Sequence, residues 1–187
     1  MEQDIRKSLE VLKAGGIILY PTDTIWGVGC DAMNETAVDK VLQIKKREGV
    51  KSLLVLLDDA GKLHHYVDII PDIAWDLIKV TDRSLTIIYP QGKNLAANLL
   101  NNDGSVGIRI TADDFCKTLI RRLGKPLVST SANISGEPPP QNFGGISDKI
   151  KSGVDYIVHW RQDETDKALP SGIIKLGING EIEIIRK

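Results

Sequence analysis

Apolar positions along this chain recur with two periods, and the alternation between them predicts its elements. Ile5, Leu9, Val11 and Leu12 fall near helical spacing, and Gly15-Gly16 supplies a stop. A strand over residues 16–20 follows. Asn34 is placed to cap a second helix whose apolar face carries Ala37, Val38, Val41, Leu42 and Ile44. That helix runs out at Lys45-Lys46-Arg47, where cations suit the negative end of its dipole. Leu53 to Leu57 is an unbroken apolar run, as in a buried strand. Pro71 then suits the first turn of a helix carrying Ile73, Ala74, Leu77 and Ile78.

Leu85 to Tyr89 and Val106 to Ile110 read as strands on either side of an Asn- and Gly-rich loop at 90–104. Thr111 or Asp113 opens a helix through Phe115, Leu119 and Ile120 that ends at Gly124. A strand over 126–129 leads into a Gly- and Pro-rich stretch from Ile134 to Gly145. Val154 to Val158, Gly172 to Leu176 and Glu181 to Ile185 read as closing strands, the last two joined by a tight turn at Asn179-Gly180. Helices alternate with strands until the last third, where strands meet through a short turn. The pattern predicts an α/β fold, a mixed, twisted sheet flanked by helices.

Composition narrows the class. The 187 residues suffice for one sizeable core, so a single domain over 1–187 is expected. The net charge of −1 gives the whole molecule no strong pull toward nucleic acid, so any anion site must be local. Two distant cysteines, Cys30 and Cys116, argue against a disulfide framework and for a reducing cytosol. No apolar run approaches the roughly 20 residues of a membrane span, and the acidic start lacks the features of a signal peptide; a cytoplasmic protein is expected.

Polar groups then gather after the strands. Thr22, Asp23 and Thr24 follow the first, Arg109 lies near the end of Val106 to Ile110, and Ser129-Thr130-Ser131-Ala132-Asn133 follows Pro126-Leu127-Val128. Delivered to the carboxyl ends of strands in an open sheet, such groups converge on one crevice. Each has a simpler reading. The threonines serve as turn residues, and Lys45, Lys46, Arg47 and Lys51 serve as a solvated helix end. A buried Arg109 needs an anion partner, either from the protein or from a ligand. The density of small polar side chains from Ser129 to Asn133 is harder to explain as a turn. Together, hydroxyls and fixed cations suit a polyphosphate-like ligand. The chain has no G-x-x-x-x-G-K-[ST] loop, no G-x-G-x-x-G after a strand, no Cys/His cluster beside His64-His65 and no Ser/His/Asp nucleophile arrangement.

Four of these fragments, in order and in register, resemble the YrdC/TsaC proteins, the threonylcarbamoyl-AMP synthases. Pro21-Thr22-Asp23-Thr24-Ile25-Trp26-Gly27-Val28 is similar to their P-T-D-T-x-Y-G-L opening, and Lys45-Lys46-Arg47 with Lys51-Ser52-Leu53 to their K-x-R and K-P-L elements. Val106-Gly107-Ile108-Arg109 matches their V-G-[VI]-R strand, and Ser129 to Gly136 their [AS]-T-S-A-N-x-S-G segment. The resemblance spans nearly the whole chain. It implies an open, strongly twisted sheet with a large concave face, in the short, single-domain form. The implied reaction joins L-threonine, bicarbonate and ATP into threonylcarbamoyl-AMP and pyrophosphate. ATP enters as substrate with Mg2+, with no tightly bound protein metal, and a tRNA-modifying threonylcarbamoyl transferase takes the product. Direct contact with tRNA or double-stranded RNA on the same concave face is the alternative use.

By that resemblance Lys45, Arg47 and Arg109 act in catalysis. Arg47, Lys51, Gly107, Asn133, Gln141 and Arg186 line the nucleotide site, and Thr24, Thr111, Ser131 and Ser171 the threonine pocket. The chain departs from the pattern in four places: Trp26 for Tyr, Ser52 for Pro, Asp82-Arg83-Ser84 for P-G-P, and Leu56 near where some members have His.

Overall fold

The computed structural model describes residues 1–46 and 53–187. Among the described residues nine strands form one open sheet in the order β7-β1-β2-β6-β3-β5-β4-β8-β9. They are β1 (Ile18–Tyr20), β2 (Gly27–Gly29), β3 (Leu54–Leu57), β4 (Leu85–Tyr89), β5 (Val106–Ile110), β6 (Leu127–Ser131), β7 (Tyr156–Ile157), β8 (Gly172–Leu176) and β9 (Ile182–Arg186). The α-helices are α1 (Glu2–Lys13), α2 (Glu35–Ile44), α3 (Leu63–Tyr66), α4 (Ile73–Val80), α5 (Asp114–Leu123) and α6 (Asp148–Gly153). Pairing is mixed. β3 runs parallel to β5 and antiparallel to β6, while β4 is antiparallel to β5 and parallel to β8.

Local chemistry sets the boundaries. Asn34 caps α2 by accepting the Ala37 N–H, and Asp113 caps α5 by accepting that of Cys116. Gly124 ends α5 in the left-handed conformation at φ 71°. The core is apolar, with Ile18, Leu19, Val28, Val55, Leu56, Leu57 and Val128 fully buried in the strands. Helices α1 and α5 pack on each other, α1 against β1 and β7 and α5 against β3, while α2 meets α6. Cys30 and Cys116 are buried free thiols.

Four elements differ from the sequence reading. β2 was not anticipated, because Gly27-Val28-Gly29 is short and glycine-rich. It is a strand because glycine permits close approach: a Cβ on Gly29 would stand 2.1 Å from the Val128 carbonyl oxygen. β6 continues through Ser129-Thr130-Ser131, so these polar residues are ladder residues and not a loop. The short helices α3 and α6 lie in polar segments whose periodicity is too brief to read.

Candidate active site

Strand alternation sends two sets of side chains to opposite faces. Leu85, Ile87, Tyr89, Ile108 and Ile110 line a cavity on one face, beneath Ile78 of α4. Leu54, Thr86, Ile88, Gly107, Arg109, Ser129, Ser131 and Ile173 line an open cavity of about 320 Å³ on the other. That volume suits a small-molecule site. The candidate site therefore lies on the face of the sheet. The crevice expected at the carboxyl ends of the strands does not form there, because β6 is antiparallel to β3 and carries Ser131 toward the opposite edge from Ile110.

Arg109 is the best-defined group. It is 2% exposed. Nη1 donates to the Thr24 hydroxyl at 2.8 Å, and Nη2 lies 3.3 Å from Asp23 Oδ1 and 3.5 Å from Thr22 Oγ1. Its anion partner within the protein is thus Asp23. Even so, Nε is buried with no hydrogen-bond partner. Such an orphaned cationic donor costs on the order of 1–3 kcal/mol and favours an incoming acceptor.

Arg186 reaches the same cavity from β9, with Nε held by the Ser171 carbonyl at 2.8 Å. Burial, and then the charge of Arg109, pull its pKa below the usual guanidinium value. Two guanidiniums that repel one another across a cavity are relieved by an anion between them. Ser171 shares a 2.9 Å hydrogen bond with Thr86, which places two hydroxyls beside this pair. Thr24, Gly107, Ser131, Asn133 and Glu137 complete the polar lining. Trp26 forms an apolar wall, 5% exposed and tilted against Phe143 at 4.9 Å between ring centroids. Phe143 in turn lies under Lys151, so the larger indole at this position is backed by packing.

Several residues expected at the site are placed otherwise. Lys45 is 2% exposed, and its ammonium donates to the carbonyls of Ser131 and Asn133. It sits behind the end of β6 and does not line the cavity, because burial commits its charge to those carbonyls. Asn133 lines the cavity, but its amide donates to the carbonyls of Ile134 and Glu137 and so closes the loop that follows. Thr111 is outside the cavity: past the end of β5 its hydroxyl turns to Asp23 at 2.9 Å. Gln141 lines a small neighbouring pocket with Thr24, Trp26 and Arg161. Arg47 and Lys51 lie outside the described residues. Asp23, expected among the polar groups after the first strand but given no role, accepts the Ser84 hydroxyl. Two groups were missed: Ser84, which the sequence marks only as a departure from the family pattern, and Arg161, which bonds the Thr22 carbonyl and Asp113 and sits in an unpatterned polar segment. Among the described residues no cluster of His, Cys, Asp or Glu could hold a metal ion, and no helix is long and apolar enough to cross a membrane.

Comparison with known proteins bears on this geometry. A family model described as telomere recombination, covering the Sua5, YciO and YrdC proteins, matches residues 10–187. The threonylcarbamoyl-AMP synthase of Idiomarina loihiensis is 34% identical over 146 residues, 76% of this chain and 78% of that protein. That of Stenotrophomonas maltophilia is 35% identical over 160 residues, 84% of this chain and 86% of its own. Among solved structures, E. coli YciO superposes with a TM-score of 0.86 at 24% identity, over 100% of this chain and 90% of that one. P. abyssi Sua5 complexed with L-threonine gives 0.82 at 24% identity, over 94% of this chain and 52% of that one. The chain spans about half the length of the P. abyssi Sua5 structures it matches. At this identity the structural likeness shows the fold. With the family model matching all but the first nine residues and relatives above 30% identity, the chain belongs to the Sua5/YciO/YrdC family.

Proposed function

We propose that this protein is a threonylcarbamoyl-AMP synthase, joining L-threonine, bicarbonate and ATP with release of pyrophosphate. One observation carries the reading. Thr24, Arg109, Ser131, Ser171 and Arg186, distant in sequence, bring two guanidiniums and three hydroxyls to the lining of one cavity. The curated relatives named above support it, as does the threonine found with P. abyssi Sua5.

The chemistry asks little covalent work of the protein. Once the threonine amine carries CO2 as a carbamate, the carbamate oxygen attacks the α-phosphorus and pyrophosphate leaves. The enzyme's task is to hold the two reactants in line and to balance charge. Arg109 and Arg186 supply fixed positive charge, with Arg47 and Lys51 assigned to the triphosphate from the motif. Thr24, Ser131 and Ser171 offer hydroxyls for the amino-acid carboxylate and side chain. Lys45 acts from behind, fixing the carbonyls of Ser131 and Asn133 so that the end of β6 keeps its shape. In this reading Mg2+ arrives with ATP, and the product passes to a transferase that modifies tRNA.

The test is pyrophosphate release from the whole protein with threonine, bicarbonate and Mg-ATP. Release should depend on threonine and fall by at least a hundredfold in Arg109→Lys, which keeps the charge and loses the fork. A folded wild-type protein without threonine-dependent release would overturn the assignment.

A further inference from the structure

Among the described residues Asp23 is the one carboxylate that touches Arg109, and its surroundings are unusual for a turn residue. Its side chain is 11% exposed. Oδ1 accepts the Thr111 hydroxyl at 2.9 Å and faces Arg109 Nη2 at 3.3 Å, while Oδ2 accepts the Ser84 hydroxyl at 2.5 Å. Both oxygens are therefore fixed from two different strand ends. Asp23, Ser84 and Thr111 line the cavity on the back of the sheet, whereas Arg109 and Thr24 line the candidate site on the front. The carboxylate is thus gripped from behind and presents its charge forward.

The grip settles the attitude of the guanidinium. With Nη1 on Thr24 and Nη2 between Asp23 and Thr22, rotation about the Cζ–Nε bond would break contacts at both ends. Nε remains buried without a hydrogen-bond partner among the described residues. Ser84 belongs to the Asp82-Arg83-Ser84 turn, where this chain departs from the family's P-G-P; neither glycine nor proline has a hydroxyl to donate there. We infer that Asp23 is a positioning residue for Arg109, and that Ser84 is this chain's own lock on Asp23. The inference rests on the activity proposed above and adds a specific device to it.

Two measurements on the whole protein test it. In the pyrophosphate assay, Ser84→Ala should lower kcat/KM about tenfold, equivalent to ~1.4 kcal/mol, and Ser84→Thr should restore it. Asp23→Asn, which keeps the shape and loses the charge, should cost about a hundredfold, the scale of a misplaced catalytic contact. Melting temperatures of Ser84→Ala and Ser84→Thr should stay close to wild type. Independently of activity, the Arg109 side-chain NMR signals should report slow rotation about Cζ–Nε in wild type and in Ser84→Thr, and faster rotation in Ser84→Ala. Unchanged rotation in Ser84→Ala, or lost activity that Ser84→Thr does not recover, overturns the inference. A wild-type protein that releases no pyrophosphate yet shows the rotation difference would count against the activity and leave the positioning role standing.

Discussion

Two glycines show how differently the same residue type can matter. A methyl on Gly107 would meet Thr86 Cγ2 at 3.4 Å and Leu54 Cβ at 3.8 Å, ordinary contacts, on the face that lines the site. A methyl on Gly29 would meet the Val128 carbonyl oxygen at 2.1 Å and Tyr20 Cε1 at 2.8 Å, with no flexible atom to yield. Gly107→Ala is therefore expected to melt close to wild type while its kcat/KM for ATP falls about tenfold, the worth of ~1.4 kcal/mol of lost fit. Gly29→Ala should lose roughly 3 kcal/mol or more of stability in urea. Equal stability of the two variants would refute the distinction. The family resemblance already puts Gly107 at the nucleotide site; that Gly29 is a seam between strands is not legible in the sequence, because it depends on how β2 pairs with β1 and packs beside β6.

Elements came through where period and cap agreed. Helix α2 had both its apolar stripe and Asn34, and α5 had Asp113 at one end and Gly124 at the other. Asn34→Ala should cost about 1 kcal/mol, measured by denaturant titration, and leave catalysis unaltered. The joint between α1 and β7 was illegible, because its partners lie at positions 4, 156 and 159. Burial would raise the Asp4 carboxyl, but the His159 N–H at 2.9 Å and the Tyr156 hydroxyl at 2.8 Å more than offset it, and the net shift is downward. A carboxylate with a lowered native pKa adds stability that is fully present above its unfolded value near 3.8 and is lost as pH falls through the native value. Wild type should therefore lose stability below about pH 4 more steeply than Asp4→Asn, which would itself be weaker at pH 7 by roughly 1–3 kcal/mol. Parallel stability curves for the two proteins would exclude this account.

At the scale of the molecule, the sequence showed that polar segments would meet but not where. Mixed pairing moved the site from the strand ends to the face of the sheet. It also took Thr111 out of the lining and Lys45 behind β6, outcomes of tertiary geometry that no local pattern encodes. The face is bounded by Thr24 near β1 and by Arg186 on the outermost strand β9, so ligand contacts should tie β8 and β9 to the centre of the sheet. Hydrogen exchange over 172–186 is expected to slow when ATP and threonine are both present; exchange unaffected by ligands would place them elsewhere.

That span has a temporal consequence. The lining joins residues 24 and 186, so the cavity is complete only once β9 has docked on a sheet that already holds β1. An anion held there stabilises the closed sheet by mass action and has no hold on a sheet still missing its edge. Binding therefore follows the assembly of the sheet and cannot steer it.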